Sequence, residues 1–594
     1  MKKKEIRNVA VIAHVDHGKT TLMDQLMREG GMLDNTETSP TRLMDSNDLE
    51  KERGITILSK CTTLEWQEYR FNMVDTPGHA DFGGEVERIL GMVDGVLLLV
   101  DASEGVMPQT KFVLTKALAQ GLRPIVVINK MDKPDQRAEE VFEEVFELFM
   151  CLQATEAQLD FPLLYASAKN GWAITDEKHP KENMQALFQA MAKHVPSPQG
   201  DPNAPLQMLV TTIDSAPFLG RLLTGRIHQG TIKENMAVRA LDLEGNIVEQ
   251  GRITKISINK GLEPLFIPQA AAGDIVTIAG LIKGTVSHTI AAPTCTTPLP
   301  AQPIDPPTLS MQFSANTSPF LGRDGNKLTS SLLKERLWKE MEHNVSIQVS
   351  QTPDGEGFQV AGRGELQLGV LIETMRREGF EMAISRPKVL FKTDPTNGRL
   401  EPIEEVQIDL DETYMGTIID HLNKRYGEVQ DVQSLDGNRL RIKIDCPTRG
   451  LIGFNSELLN LTRGTGIMCR SFKAYEKYKG PLDTLRNGVL ISLSKGKALA
   501  YALMNIEPRG TLFISPGTEV YEGMIIGEHN RKNDLSVNPM KGKKLTNMRA
   551  AGSDKEVKLT PPRTMTLEEA LCYIQDDECL EVTPQHLRLR KKSS

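Results

Sequence analysis

Several short stretches bring residues suited to phosphate chemistry to the ends of apolar runs. Val9-Ala10-Val11-Ile12 leads straight into Ala13-His14-Val15-Asp16-His17-Gly18-Lys19-Thr20, so a buried strand opens through a phosphate-sized loop into a helix. In such a P-loop the backbone N–H groups and the helix N-terminus cradle phosphates, and Lys19 reaches the β/γ oxygens. The Thr20 hydroxyl ligates Mg²⁺, and Asp16, His17, Gly18 and Thr21 complete the nucleotide-binding residues of this segment. Ala13 replaces the first glycine of the GxxxxGK[ST] pattern. His14 and His17 are read as loop structure, not as metal ligands.

Asn129-Lys130-Met131-Asp132 follows a second apolar run, Pro124 to Ile128, at the carboxyl end of a parallel strand, where ligands collect in open α/β sheets. The Asp132 carboxylate only accepts hydrogen bonds. Guanine offers N1–H and an exocyclic amino group as a matched pair of donors, and adenine offers neither, so guanine is selected. Ser167-Ala168-Lys169, after the apolar segment Phe161 to Ala166, is expected to add a backbone N–H to guanine O6. The cofactors expected are GTP/GDP with Mg²⁺.

Asp75-Thr76-Pro77-Gly78-His79 comes after Phe71 to Val74, again at a strand end. Asp75 is placed to hold Mg²⁺ through water, and Gly78, without a side chain, lets its N–H approach a γ-phosphate. Arg53-Gly54-Ile55-Thr56-Ile57 follows the polar stretch Asp34 to Glu52 and supplies Thr56 as the second Mg²⁺ hydroxyl. These parts describe a two-state device in which γ-phosphate and Mg²⁺ order two loops and hydrolysis releases them.

With these residues in view, the chain resembles the translation-factor GTPases through Val15 to Thr20, Arg53 to Ile57 and Asp75 to His79. The resemblance implies that His79 orients the attacking water on the ribosome, that Val15 and Ile55 form the apolar gate beside it, and that Asp16 holds a monovalent cation. No arginine finger is evident in the sequence, so slow intrinsic hydrolysis and activation by the ribosome are expected.

At 594 residues the chain must divide into several domains. The net charge of −8 argues against an RNA binder only as an average, since a local basic surface binds phosphates whatever the total. The seven cysteines are scattered without a CxxC and are read as reduced thiols. No apolar run is long enough to span a bilayer, and Met1-Lys2-Lys3-Lys4-Glu5 leads into the first strand, so a soluble, cytoplasmic protein is expected.

The expected fold is multidomain α/β and β. A P-loop GTPase domain at 1–197 ends in the proline-rich linker Pro196 to Pro202, and a β-barrel follows at 203–300. Its strands are Leu206 to Ile213, Arg221 to Ile227, Met236 to Leu241, Gly251 to Ile258 and Asp274 to Ile278. Two ferredoxin-like α+β units at 306–386 and 398–478 repeat the order strand, helix, two strands, helix, strand. Only Lys388 to Arg399 separate them, so the extra domain of elongation factor G has no place here. A mixed C-terminal domain at 479–594 completes the chain, with Asn487 to Ser494 and Ala498 to Ile506 alternating like strands.

Beyond Gly527 a long polar loop sets Arg531, Lys532, Lys541, Lys543, Lys544, Arg549, Lys555 and Lys558 against Asp534, Asp554 and Glu556, a surplus of five positive charges. Inserted between folded strands and a helix capped by Thr566-x-x-Glu569, this loop is read as an RNA contact, with Arg531, Lys532, Lys541, Lys543, Lys544 and Arg549 as its cations. The domain order, with His529 to Asp534 and Met548 to Ala550, resembles the BipA/TypA ribosome-associated GTPases. That resemblance implies a monomeric bacterial factor that hydrolyses GTP on the 70S ribosome, near the A site, in contact with large-subunit rRNA and tRNA. It also implies a role in large-subunit assembly and stress-linked translation. The alternatives are a LepA-like back-translocating factor and, from another class, a GTP-dependent switch that binds a protein effector away from the ribosome.

Overall fold

The computed structural model describes all residues except 1–3, 15, 31–47, 54–55, 57–58, 78–82, 177, 262, 302–306, 345, 395–397, 436–438, 483–485, 543–558 and 593–594. Val15, Ile55, Gly78, His79, Lys543, Lys544 and Arg549 therefore lie outside the described residues. The chain forms two compact units, 1–305 with 342–345, and 306–341 with 346–594.

The first unit opens with a seven-stranded sheet of β1 (Glu5–Ala13), β2 (Lys60–Trp66), β3 (Tyr69–Asp75), β4 (Gly95–Asp101), β5 (Arg123–Asn129), β6 (Leu163–Ser167) and β7 (Trp172–Ile174), in the order β2-β3-β1-β4-β5-β6-β7. β1 reads as a continuous apolar run because both sheet faces are covered. Val9, Val11 and Ala13 enter one core with Leu22, Met23, Leu26 and Met27 of α1 (Lys19–Glu29), while Ala10 and Ile12 enter the other. Emptying one such position, as in Leu22→Ala, costs roughly 2–5 kcal/mol by transfer and cavity terms. β1 pairs in parallel with β3 on one side and β4 on the other, so the loop leaving it sits where the strand order reverses. The register sets Val11 beside Asp75 and Asp101 beside Asn129, which gathers the polar residues at one sheet edge.

The second layer of this unit is antiparallel. Its strands are β8 (Gln207–Ala216), β9 (Gly220–Gln229), β10 (Ala237–Leu241), β11 (Ile247–Arg252), β12 (Lys255–Lys260), β13 (Glu263–Phe266), β14 (Ile275–Ala279) and β15 (Thr289–Ala291), in the order β11-β10-β15-β8-β9-β14-β12-β13. β11 stands at one end of this path and β12 next to the other, yet only Ile253 and Thr254 join them. The sheet must therefore roll up until its ends approach, around a core that includes Met208, Val210, Leu223, Ile256 and Ile290. This corrects the expected single strand from Gly251 to Ile258, which breaks at that corner.

In the second unit, β16 (Leu309–Ala315), α2 (Ser330–His343), β17 (Gln348–Gln351), β18 (Gly357–Gly362), α3 (Glu365–Arg377) and β19 (Met382–Ile384) follow one another in the ferredoxin-like order. β20 (Gly398–Asp411), α4 (Met415–Asn423), β21 (Glu428–Leu435), β22 (Arg439–Pro447), α5 (Phe454–Leu461) and β23 (Ile467–Lys477) repeat it. Sheet orders β17-β18-β16-β19 and β21-β22-β20-β23 are the same topology.

The two copies end differently. β19 pairs with β27 (Glu578–Val582), Ala383 opposite Glu581, and the sheet runs on through β28 (Leu587–Lys591), β25 (Met524–His529), β24 (Val489–Ser492) and β26 (Leu535–Val537). One hydrophobic core takes Leu309, Phe313, Leu368 and Met382 together with Val489, Leu571, Leu580 and Val582. The unit at 398–477 keeps a separate core around Val406, Ile418, Ile442 and Phe454.

Two expectations for the C-terminal segment are corrected. Ala500–Ile506 is a helix, α6, because Ala502, Leu503 and Ile506 share one buried face and alanine, leucine and methionine favour helix; the small-large alternation imitated a strand. The long basic loop is interrupted by β26, which pairs in parallel with β24. Leu567–Tyr573, α7, carries the expected capping box, with Glu569 N–H donating to Thr566 Oγ1 at 3.3 Å and Thr566 N–H to Glu569 Oε2 at 2.9 Å.

Candidate functional site

The loop between β1 and α1 is held open by backbone conformations that side chains resist. Gly18, at the N-cap of α1, has φ +95°, and an added Cβ would lie 2.5 Å from Asn129 Nδ2. Asp16 also takes a positive φ of 63° and is exposed, whereas His17 is fully buried and its Nδ1 accepts from Asp101 N–H at 3.3 Å. His17 is thus part of the loop's frame. Thr20 and Thr21 follow on the first turn of α1, half-buried and exposed.

Lys19 is buried and points at the end of β3. Its Nζ donates to the Thr76 carbonyl and lies 3.0 Å from Asp75 Oδ1. Asp75 is fully buried, and neither carboxylate oxygen accepts a well-directed hydrogen bond. Burial pushes its carboxyl above the ordinary carboxylate range, and the Lys19 charge only partly offsets this. A buried oxygen donor left in this state fits a hard divalent cation such as Mg²⁺. Thr56 is buried as well.

At the other end of the edge, β5 and β6 bring together the residues expected to recognise the base. Asn129 Nδ2 donates to the His17 carbonyl at 2.8 Å, and Asn129 Oδ1 accepts from Ala168 N–H at 2.9 Å. The amide thereby ties the phosphate loop to the Ser167-Ala168-Lys169 turn. Ser167 Oγ donates to Asp132 Oδ1 at 2.6 Å and fixes an otherwise exposed carboxylate. Of the backbone N–H groups of this turn, one of which was expected at guanine O6, that of Ala168 already positions the Asn129 side chain. Lys169 is exposed.

Asp101 was missed in the sequence. It is buried at the end of β4 and holds Lys130 Nζ at 2.7 Å, Lys133 Nζ at 3.1 Å and Ser103 N–H at 2.8 Å. Burial alone would raise its pKa, but the Lys130 and Ser103 contacts bring it far below the usual carboxylate range. By anchoring Lys130, whose φ is +63°, it sets the turn that presents Asp132. Its signal was present: Gly95 to Val100 is an apolar run ending on a carboxylate, as before Asp75.

In the second unit Arg531 and Lys532 are exposed in the turn between β25 and β26, and Lys541 is exposed beyond β26. The basic C-terminal strand plays a different part. Arg588 and Arg590 are buried, Arg588 against Glu581 at 3.1 Å and Arg590 donating to Thr317 at 2.8 Å.

Known proteins match this arrangement along the whole chain. A profile described as the elongation factor Tu GTP binding domain matches residues 4–197, one described as the elongation factor G C-terminus matches 398–485, and the TypA/BipA C-terminal domain matches 487–594. The large ribosomal subunit assembly factor BipA of Salmonella typhimurium strain LT2 is 50% identical over 590 residues, covering 99% of this chain and 97% of the relative. The chain belongs to the BipA/TypA family. Its counterparts in Escherichia coli K12 and Haemophilus influenzae Rd are also 50% identical, over 590 and 591 residues, with 99% of this chain and 97% and 96% of theirs covered. A solved structure from Thermus thermophilus aligns with a TM-score of 0.56 at 17% identity, covering 80% of this chain and 97% of that one, which shows a shared fold. As a BipA/TypA member with an elongation-factor-type GTP-binding domain, the chain is a GTPase that uses GTP and GDP. The C-terminal match separates it from the LepA-like alternative.

Proposed function

We propose that this protein hydrolyses GTP on the bacterial 70S ribosome and serves large-subunit assembly and stress-linked translation in the cytoplasm, acting as a monomer. One observation carries the reading: a single chain joins a hydrogen-bonded cluster of Asn129, Asp132 and Ser167 at the strand ends of a GTP-binding domain to a C-terminal segment of the TypA/BipA kind. Its full-length relatives are named large ribosomal subunit assembly factors.

In this reading Asp132 accepts both guanine donors, held in place by Ser167, while Lys19 moves from Asp75 to the phosphates when nucleotide enters. Thr20, Thr56 and Asp75 are the residues that would hold Mg²⁺, which neutralises charge on the phosphate oxygens during transfer. Asp16 would hold the monovalent cation. His79 positions water beside the γ-phosphate, screened by Val15 and Ile55, and the Gly78 N–H senses that phosphate. Arg531, Lys532 and Lys541, with Lys543, Lys544 and Arg549, meet phosphates of large-subunit rRNA or tRNA near the A site, so ribosome binding weakens steeply with salt.

The test is GTP turnover with and without purified 70S ribosomes for the parent, His79→Ala, and a triple Arg531→Glu, Lys532→Glu, Lys541→Glu variant. The parent is expected to be stimulated strongly, His79→Ala to keep its GTP affinity without stimulation, and the triple variant to need more ribosomes for the same rate. A parent unaffected by ribosomes would favour the stand-alone switch. Equal stimulation of parent and His79→Ala would remove the role given to His79.

A further inference from the structure

A cleft of about 950 Å³ opens within the second unit, and nothing in the GTPase reading uses it. It is bordered by residues 386–391, which lead into the inserted 398–477 unit, by Tyr478, Pro481, Leu482 and Arg486, which lead out of it, and by the C-terminal end of α7. Its size falls in the upper range of small-molecule sites.

The lining is rich in one residue type. Arg386, Arg399, Arg425, Arg449, Arg486 and Arg563 all face the cleft, and Lys388 is the one lysine among the lining residues. Four carboxylates accompany these seven cations, on a chain whose net charge is −8. Arginine's planar fork suits bidentate contact with phosphate better than lysine's point charge.

The simpler account makes these arginines rivets between neighbouring segments, and it explains three of them. Arg425 is paired with Glu457 and donates to the Gly450 carbonyl, Arg449 lies 2.5 Å from Glu401, and Arg486 makes two 2.8 Å bonds to Glu578. It does not explain the others. Among the described residues no carboxylate lies within 4 Å of Arg386 or Arg399, and Arg563 reaches Glu528 only at 3.7 Å.

Flat surfaces flank these guanidiniums. Arg399 Cζ sits 3.6 Å from the Phe391 ring centroid and 5.0 Å from that of Tyr478, while Arg486 lies 4.4 Å over Tyr573. Stacking holds the Arg399 guanidinium plane and leaves its N–H edge for an anion, while Glu578 takes the edge of Arg486; such planes and rings also accept a nucleic-acid base. Two polar atoms of lining residues, Arg425 Nε and Tyr573 Oη, are buried without a protein partner.

We propose that this cleft binds a ribonucleotide phosphate, either as a free nucleotide or as one nucleotide of a single-stranded RNA. The unpaired arginines take the phosphate and the stacked arginine and aromatic groups take the base. The site is separate from the guanine pocket and its occupancy does not depend on the ribosomal reading.

The experiment uses the full chain with its guanine pocket saturated by GDP. Fluorescently labelled ADP and a labelled, 5′-phosphorylated oligoadenylate are titrated at low and high salt against the parent, an Arg386→Ala/Arg399→Ala double variant and the charge-preserving Arg386→Lys/Arg399→Lys pair. Thermal melting and GDP affinity report folding. Binding of at least one probe is expected, about tenfold weaker in the alanine pair and salt-sensitive, with GDP affinity unchanged. If the alanine pair fails to fold, the lysine pair decides, since loss of bidentate geometry alone should weaken the probe severalfold. ADP binding would assign the free nucleotide; binding of the oligonucleotide alone would assign RNA. Neither probe binding at millimolar concentration, or equal binding by parent and variants, overturns the proposal.

Discussion

The two ends of the nucleotide edge follow opposite electrostatic plans. At the end proposed to read the base, the Asn129 amide uses both its groups and Ser167 already orients Asp132, so these side chains are fixed within the protein. At the metal end Asp75 is buried with oxygens that accept no well-directed hydrogen bond, and Lys19 is the cation beside it. On the proposed reading, the difference teaches that selectivity for the base is built in advance, whereas the phosphate end is completed by what binds there.

The contrast can be broken at four points. The largest effect is expected for Asp132→Asn, which trades an acceptor for a donor against guanine: GTP affinity should fall by about a thousandfold or more and xanthine nucleotides should gain, read by competition binding. Unchanged GTP preference would remove Asp132 from the base site. Gly18→Ala comes next, since its Cβ collides with Asn129 in a backbone conformation that alanine resists. Both ends should suffer together, with GTP and GDP affinity down about a hundredfold by calorimetry.

Asp75→Asn should separate the ends. Without Mg²⁺ the variant is expected to be more stable than the parent at neutral pH by about 1–3 kcal/mol, because burial costs the carboxylate more than the Lys19 charge 3.0 Å away returns. Mg²⁺-dependent GTP binding should weaken all the same. The pH dependence has a definite sign. Asp75 titrates higher folded than unfolded, so the parent loses stability relative to the variant as pH rises from the ordinary carboxylate range through the raised value, and the gap is constant above it. Denaturant melts of both proteins from pH 4 to 8 would show this, and a flat difference would contradict the burial argument. The smallest change is Ser167→Ala, which frees Asp132 without altering its chemistry; about a five- to tenfold loss of GTP affinity is expected, with selectivity over ATP retained.

How much of this could be read from the sequence depends on the range of the interaction. Lys19, Asp75, Asn129 and Asp132 were legible because each follows an apolar run that can only be a strand buried on both faces. The hydrogen bonds that join Asn129 to His17 and Ala168 were not, since they link strand ends distant in the chain. The helical stripes of both ferredoxin-like units were visible as periodic apolar faces, and the roll of the β-sheet was not, because it turns on the two-residue corner at Ile253 and Thr254. Ala500–Ile506 misled through alternation of small and large residues, and buried Arg588 and Arg590 look in sequence like a solvated basic tail. Least legible was the β19–β27 pairing, which leaves no local pattern at all.

That last pairing bears on how the molecule is made. A nascent chain can close the guanine-binding sheet once its first part has left the exit tunnel, since all seven strands lie before residue 175. Met382–Ile384 must wait, its edge unpaired, until Glu578–Val582 has been synthesised, with the whole 398–477 unit produced in between. The half that reads nucleotide is thus free to mature early, and the other half stays open until residues 578–582 have been made.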